Sequence, residues 1–261
     1  MNQSSSVKQP NIFVAGSSWA RGEWDPDRPA VLHTGIKQYF ADAGYTVIDC
    51  SQARSYHSRV IELLSRKLAR SYKDGDIIFF VLADPLLDII MPELANMQVK
   101  RSNNVSNLIN FTASIKQAGG LINLIRQQQD LIYSQLDVLA KTYNTKIHCI
   151  GGTYNVNTNI LNQYSNLLPT VVSWIDLLIG HFDEYHGIDD PEFGISYTWG
   201  IDYINLSTYT TEFSEQVKKE FDTISKNFYM LEELIFHPDG LHPNREGHKI
   251  LHNYLVNKLN L

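Results

Sequence analysis

Short runs of consecutive apolar residues alternate along this chain with longer stretches in which apolar residues recur every three or four positions. The short runs have the length and continuity of buried strands and lie within residues 11–16, 45–50, 74–85 and 145–152. The longer stretches predict helices over residues 28–44, 58–72, 120–143 and 245–259. A short fifth strand is predicted within residues 171–180.

Continuous apolar strands separated by helices favour a parallel sheet that is covered on both faces. We therefore predict an α/β fold, a three-layer α/β/α sandwich with a mainly parallel, flavodoxin-like sheet. In such sheets, binding and catalytic residues lie at the carboxyl ends of the strands. No glycine-rich phosphate loop followed by Lys and Ser or Thr accompanies any of these ends, which argues against a nucleotide site.

Two long stretches lack strong periodicity and are rich in Asn, Tyr and Ser. We interpret residues 86–118 and 153–235 as insertions in a single domain over residues 11–261, because no linker divides the chain. Residues 1–10 are polar and lack the apolar core of a signal peptide, so a disordered leader is expected. No apolar run approaches the ~18 residues of a membrane span. A cytoplasmic protein without a membrane partner is the expectation.

Composition removes further functional classes. The 261 residues carry a net charge of −6 at pH 7 without a long basic cluster, which argues against nucleic-acid binding. Cys50 and Cys149 are interpreted as small buried apolar residues, since two cysteines give neither a disulfide framework nor a metal spacing. His248 and His252 lie four apart on the last predicted helix. Without an accompanying carboxylate or thiol set they are interpreted as helix-surface histidines, and no metal site is predicted.

Candidate chemistry lies at the two ends of the chain. The first strand ends in Gly16-Ser17-Ser18-Trp19, and Asp239 and His242 stand in a loop just before the last helix. Serine hydrolysis needs a base to take the hydroxyl proton and a carboxylate to hold that base in the right tautomer. An Asp-x-x-His loop contains both groups. The alternative role of Ser18 is that of a turn residue or helix N-cap, for which Ser17 competes.

Together these two blocks resemble the SGNH (GDSL-like) hydrolase superfamily, whose first block is Gly-Asp-Ser and whose last block is Asp-x-x-His before the final helix. The resemblance implies that Ser18 is the nucleophile, that His242 is the general base and acid, and that Asp239 orients His242. It implies a serine esterase that acts on a small O-acyl or O-acetyl ester, with a small-molecule or glycan substrate and no cofactor.

Three positions depart from the family pattern. Ser17 stands where the family has Asp, and the segment after the second strand has no Gly, which leaves the backbone N–H of Ser55 to help hold the oxyanion. The family's third-block Asn is replaced by Ala83 or Asp84. Losing one oxyanion donor costs about 3 kcal/mol of transition-state stabilisation. Trp19 either lines the substrate pocket or covers the end of the sheet.

These departures keep a second hypothesis open, a non-catalytic SGNH scaffold that acts as a binding or virion structural protein. The Gly-Glu-Trp at residues 22–24 and the "DPLLD" at residues 84–88 are similar to uncharacterised phage-type members of the superfamily. That similarity implies either a virion-associated esterase or a non-catalytic virion part.

Overall fold

The computed structural model describes residues 9–25, 30–53, 55–83, 85–86, 88, 113–152, 154–179, 215–216, 219 and 242–261. The strands are β1 (Ile12–Gly16), β2 (Glu23–Trp24), β3 (Val31–His33), β4 (Val47–Ser51), β5 (Ile77–Leu82), β6 (Ile147–Gly151) and β7 (Leu167–Val171). The helices are α1 (Ser18–Arg21), α2 (Ile36–Asp42), α3 (His57–Ser71), α4 (Leu121–Thr142), α5 (Thr158–Leu161), α6 (Trp174–Ile179) and α7 (Arg245–Leu259). Residues 113–118 are also helical.

Five strands form a parallel sheet in the order β4-β1-β5-β6-β7. The predicted flavodoxin-like α/β sandwich is thereby confirmed. In register, Gly16 at the end of β1 pairs with Ser51 of β4 and with Val81 of β5. The exits of these three strands therefore meet at one edge of the sheet, where the two candidate motifs were expected to act.

The core has two halves, one on each face of the sheet, because successive strand side chains point in opposite directions. On one face, Ile12 and Val14 pack under α2, α6 and α7. On the other face, Phe13 and Ala15 pack under α3 and α4. We call these the α7 face and the α3 face. The alternation explains why β1 is apolar at every position.

The two cysteines behave as the sequence analysis expected. Cys50 on β4 and Cys149 on β6 are both free and fully buried. Burial raises the pKa of each thiol to about 12, since the thiolate would lose its hydration in the core. Both residues therefore serve as small apolar side chains.

Two predicted elements are wrong in part. Of the described residues within 28–44, only Ile36–Asp42 are helical, and Val31–His33 is a strand that pairs antiparallel with β2. Gly35, with φ +65°, separates strand from helix. The fifth strand is Leu167–Val171, while most of the predicted strand 171–180 is helix α6. Pro169 weakened the strand signal, but β7 is an edge strand, where proline is tolerated.

The predicted helices at 58–72, 120–143 and 245–259 agree with α3, α4 and α7 to within one residue at each end. Of the predicted insertion at 153–235, residues 154–179 contain β7 and α6 and so belong to the sheet and its cover. Most of the rest of that range, most of 86–118 and most of the predicted leader at 1–10 lie outside the described residues. Within the part that is described, no helix is long and apolar enough to cross a membrane.

Candidate active site

The exit of β1 is a tight turn that only glycine fits. Gly16 has φ +152°, and a Cβ there would lie 2.7 Å from the Ala20 Cβ and 2.9 Å from the Val81 carbonyl oxygen. Directly after this turn, Ser17 takes the N-cap position of α1, without a capping hydrogen bond from its side chain. Ser18 is the first helical residue and is half-buried at the carboxyl edge of the sheet.

Trp24 lies between the two candidate motifs. Its indole Nε1 donates a hydrogen bond to the Ser18 carbonyl at 3.3 Å, and its ring centroid is 5.9 Å from that of His242. Beside it, Arg245 Nε donates to Glu23 Oε2 at 3.0 Å, which joins the β2–β3 hairpin to the first turn of α7. Ser18 and His242 are therefore at the same edge of the sheet.

Two of the predicted site residues, Asp84 and Asp239, lie outside the described residues. The roles predicted for them, in the oxyanion pocket and as the partner of His242, stay predictions. Trp19 is described, and its ring is only 2% exposed and packs edge-on against Trp174 at 5.4 Å. This position covers the end of the sheet, the second of its two predicted roles. A pocket role for Trp19 stays a prediction.

Ser55 lies in the loop between β4 and α3 and is 3% exposed. Within the described part of the chain, its backbone N–H makes no hydrogen bond. A buried amide without a partner is uncommon, because each such group costs free energy. The Ser55 N–H thus has no acceptor among the described residues, and the oxyanion role expected for it stays a prediction.

A histidine–aspartate pair binds the first residue after β5. The sequence analysis did not predict this pair. The Ala83 N–H donates to His57 Nε2 at 3.1 Å, and His57 Nδ1 lies 2.9 Å from Asp88 Oδ2. Asp88 also accepts the backbone N–H groups of His57 and Ser58, each at 2.9 Å, and the Ser58 hydroxyl. Burial alone would raise the pKa of Asp88, but these donors hold it below its ordinary value.

A buried lysine joins α2 to the exit of β4. Lys37 is 5% exposed, and its Nζ donates to Asp49 Oδ2 at 2.8 Å and to Ser51 Oγ at 2.7 Å. Arg21 Nη1 lies 3.7 Å from Asp49 Oδ2 and donates to the Ser51 carbonyl. Burial lowers the pKa of Lys37, and the Asp49 carboxylate opposes that shift. The amine is occupied as an ion-pair partner, so it stabilises the turn beside Ser18.

His248 contradicts the sequence-based interpretation of a helix-surface histidine. Its side chain is fully buried on the α7 face, with its ring 5.0 Å from that of Trp174. Burial, with a smaller contribution from nearby His33, lowers the pKa of His248 to about 3. His252 is only half-buried and packs against Phe40. Among the described residues, no group of three or more potential ligands could hold a metal ion.

Among solved structures, the chain is similar to the crystal structure of the lipase/acylhydrolase from Enterococcus faecalis. The match covers 96% of this chain and 95% of that chain, at 12% sequence identity and a TM-score of 0.38. No protein-family model matches the chain, and no curated protein matches it. The fold class follows from the parallel sheet itself.

Proposed function

We propose that this chain is a serine ester hydrolase of SGNH type that acts on a small O-acyl or O-acetyl ester, including esters of carbohydrate. The observation that carries the proposal is the position of Trp24, which binds the Ser18 carbonyl and lies against the His242 ring. A serine at a glycine turn and a histidine ahead of the last helix thus share one edge of the sheet.

The proposed reaction begins with attack of Ser18 Oγ on the ester carbonyl while His242 accepts the hydroxyl proton. Asp239 would hold the imidazole in the reactive tautomer and stabilise the imidazolium. Collapse of the tetrahedral intermediate breaks the bond to the alcohol, and His242 returns the proton to the leaving alkoxide. Water then cleaves the acyl-Ser18 ester by the same steps. The reaction requires no metal or organic cofactor.

The oxyanion site in this proposal is built from backbone groups. The N–H of Ser18 is at the first turn of α1, where no intrahelical acceptor exists, and the Ser55 N–H is buried without a described partner. Of the two residues that could take the third-block position, Ala83 has only a methyl side chain, and its own N–H is bound to His57. With one side-chain donor fewer, kcat is expected to be about 10²–10³-fold below that of a complete site.

The test is covalent labelling with a fluorophosphonate probe, followed by intact-mass spectrometry between about pH 6 and 9, where imidazole becomes neutral. We expect one adduct in the wild-type protein and none in Ser18→Ala or His242→Ala. Ser17→Ala is the matched control, since it removes the neighbouring hydroxyl and should keep the adduct. An adduct that survives Ser18→Ala would exclude Ser18 as the nucleophile.

A second proposal is a non-catalytic SGNH scaffold that binds a glycan or a virion protein. The observation that favours it is the occupied Ala83 N–H next to an alanine side chain, so Ala83 offers no oxyanion donor. This alternative predicts no probe adduct at any pH. It also predicts that acetylated oligosaccharides perturb the protein's NMR spectrum while their own acetyl signals stay unchanged for days.

A further inference from the structure

His57 is a buried histidine whose two hydrogen bonds fix the tautomer of its ring. It is 3% exposed, and its ring lies 6.2 Å from that of Phe80 in the α3-face core. Because the Ala83 N–H can only donate, Nε2 must accept, and the ring proton must be on Nδ1 facing Asp88. The carboxylate accepts that proton at 2.9 Å. The tautomer therefore follows from the two neighbours without reference to any reaction.

The same ring joins two loops that leave neighbouring parts of the sheet. His57 is the first residue of α3 and comes two residues after Ser55, in the connection from β4. Ala83 is the first residue after β5, and Asp88 lies five residues further along. Asp88 also accepts the two backbone N–H groups at the start of α3. The exit of β5 is thus attached to the segment that carries the Ser55 amide.

His57 and Asp88 are arranged like the His–Asp pair of a catalytic triad, but the Ala83 N–H and not a nucleophile is bound to His57 Nε2. Its Nε2 is already occupied by a backbone N–H, and the ring is buried, so neither a serine hydroxyl nor a water molecule can reach that nitrogen. Ser58, its neighbour in sequence, donates to Asp88 and not to the ring. The pair therefore cannot act as a general base in its observed geometry.

We propose that His57, oriented by Asp88, is a positioning residue that sets the place of the Ser55 N–H relative to the exit of β5. This inference rests on the proposed function, because the Ser55 N–H matters only if an oxyanion forms at Ser18. A displacement of 1 Å at a reacting group can cost about 100-fold in rate. The side chains that hold a backbone donor in place therefore affect the reaction rate without touching the substrate.

The first experiment tests the hydrogen bonds without any substrate. In the ¹⁵N NMR spectrum of the full chain we expect an unprotonated, hydrogen-bonded Nε2 and a protonated Nδ1 for His57, and slow exchange of the Ala83 amide proton. A protonated Nε2 at neutral pH, or an Ala83 amide that exchanges as fast as an exposed one, would overturn the proposal.

The second experiment measures the labelling rate of Ser18 with the fluorophosphonate probe in two His57 variants. His57→Phe removes both ring hydrogen bonds and should slow labelling by roughly 100-fold. In His57→Gln the amide oxygen reaches the position of Nε2 and can accept from Ala83, so we expect most of the rate to return. If Gln and Phe are equally slow while both proteins are folded by circular dichroism, His57 does not act through Ala83.

His148→Gln is the matched control, because His148 is also largely buried but stands near the amino end of β6, at the opposite edge of the sheet. Its labelling rate should equal that of the wild-type protein. A wild-type protein that never reacts with the probe would refute the proposed function. The NMR spectrum alone would then decide whether His57 connects the two loops.

Discussion

Among the described residues, one histidine on each face of the sheet is at most 3% exposed, and the two differ in how their ring nitrogens are satisfied. On the α3 face, His57 has a partner at both nitrogens, with Ala83 on one side and Asp88 on the other. On the α7 face, neither nitrogen of His248 has a hydrogen-bond partner of ordinary geometry among the described residues, and a weaker interaction with the Gly22 backbone only partly offsets the effect of burial. Both side chains are almost completely inaccessible to solvent.

The difference shows what burial alone does to an imidazole. A buried polar group without a partner costs about 1–3 kcal/mol, whereas a fully bonded one contributes specific geometry. His248 is instead surrounded by positive or potentially positive groups, among them His33, Lys37 and His242, which further disfavour its protonation. On the α3 face, the histidine therefore positions backbone groups. On the α7 face, the histidine is buried in its neutral form, so its protonation in acid destabilises the folded protein.

The largest expected effect comes from a methyl group beneath His248. In Gly35→Ala the new Cβ would lie 2.5 Å from His248 Nδ1, at a residue with φ +65°. Overpacking and backbone strain together should lower the free energy of unfolding by about 3 kcal/mol or more. Urea denaturation at pH 7.5 measures the change.

Gly75→Ala is the control for this substitution, because Gly75 has φ +90° and nothing within 4 Å of its Cβ position. Strain alone should cost it about 1 kcal/mol. In a Gly35→Ala/His248→Ala double variant, the contact is removed. The double variant should therefore lose less free energy of unfolding than the sum of the losses in the two single variants. If the losses in free energy of unfolding were strictly additive, His248 would not be in close contact with Gly35.

The next effect is a loss of stability in acid. The unfolded chain binds a proton at His248 below about pH 6.5, but the native state does so only near pH 3, where its pKa lies. Stability from neutral His248 is therefore present above pH 6.5 and is lost as the pH falls. The linkage amounts to about 2 kcal/mol at pH 5.

The measurement for this prediction is the free energy of unfolding between pH 4.5 and 7.5, compared between the wild-type protein and His248→Gln. In this range, the slope of the free energy of unfolding against pH should be smaller in the variant than in the wild-type protein. The difference should correspond to about one bound proton. His148, whose pKa burial lowers to about 4, contributes a second slope of the same sign in both proteins. Identical slopes in the two proteins would show that His248 titrates normally and is not buried as described.

The same comparison indicates which features a sequence can predict. The parallel sheet with two covered faces followed from continuous apolar strands, because burial on both faces leaves a direct trace in residue type. A signal for His248 was also present, since it lies three residues before Leu251 and seven before Leu255, on the buried face of α7. The polarity of histidine outweighed that spacing in the sequence interpretation.

Other features depend on distant partners and leave no local trace. His57 contacts Asp88, 31 positions away, and the first residue of a helix carries no sign of such a contact. The strand at Val31–His33 exists through pairing with β2, and its apolar spacing fits a helix equally well. The turn at Gly16-Ser17-Ser18 was predictable because its glycine, strand end and helix start are consecutive.

The smallest expected effect belongs to the α3 face. Ser58→Ala removes one exposed donor from Asp88, which still accepts both backbone N–H groups and the His57 ring proton. Because three donors remain, the free energy of unfolding should fall by only about 0.5 kcal/mol in urea denaturation. Asp88→Ala is the contrasting variant: it leaves the buried Nδ1–H of His57 without an acceptor and should cost at least about 2 kcal/mol. Similar losses in the two variants would mean that Ser58, and not the buried His57, is the principal partner of Asp88, and the contrast between the two faces would fail.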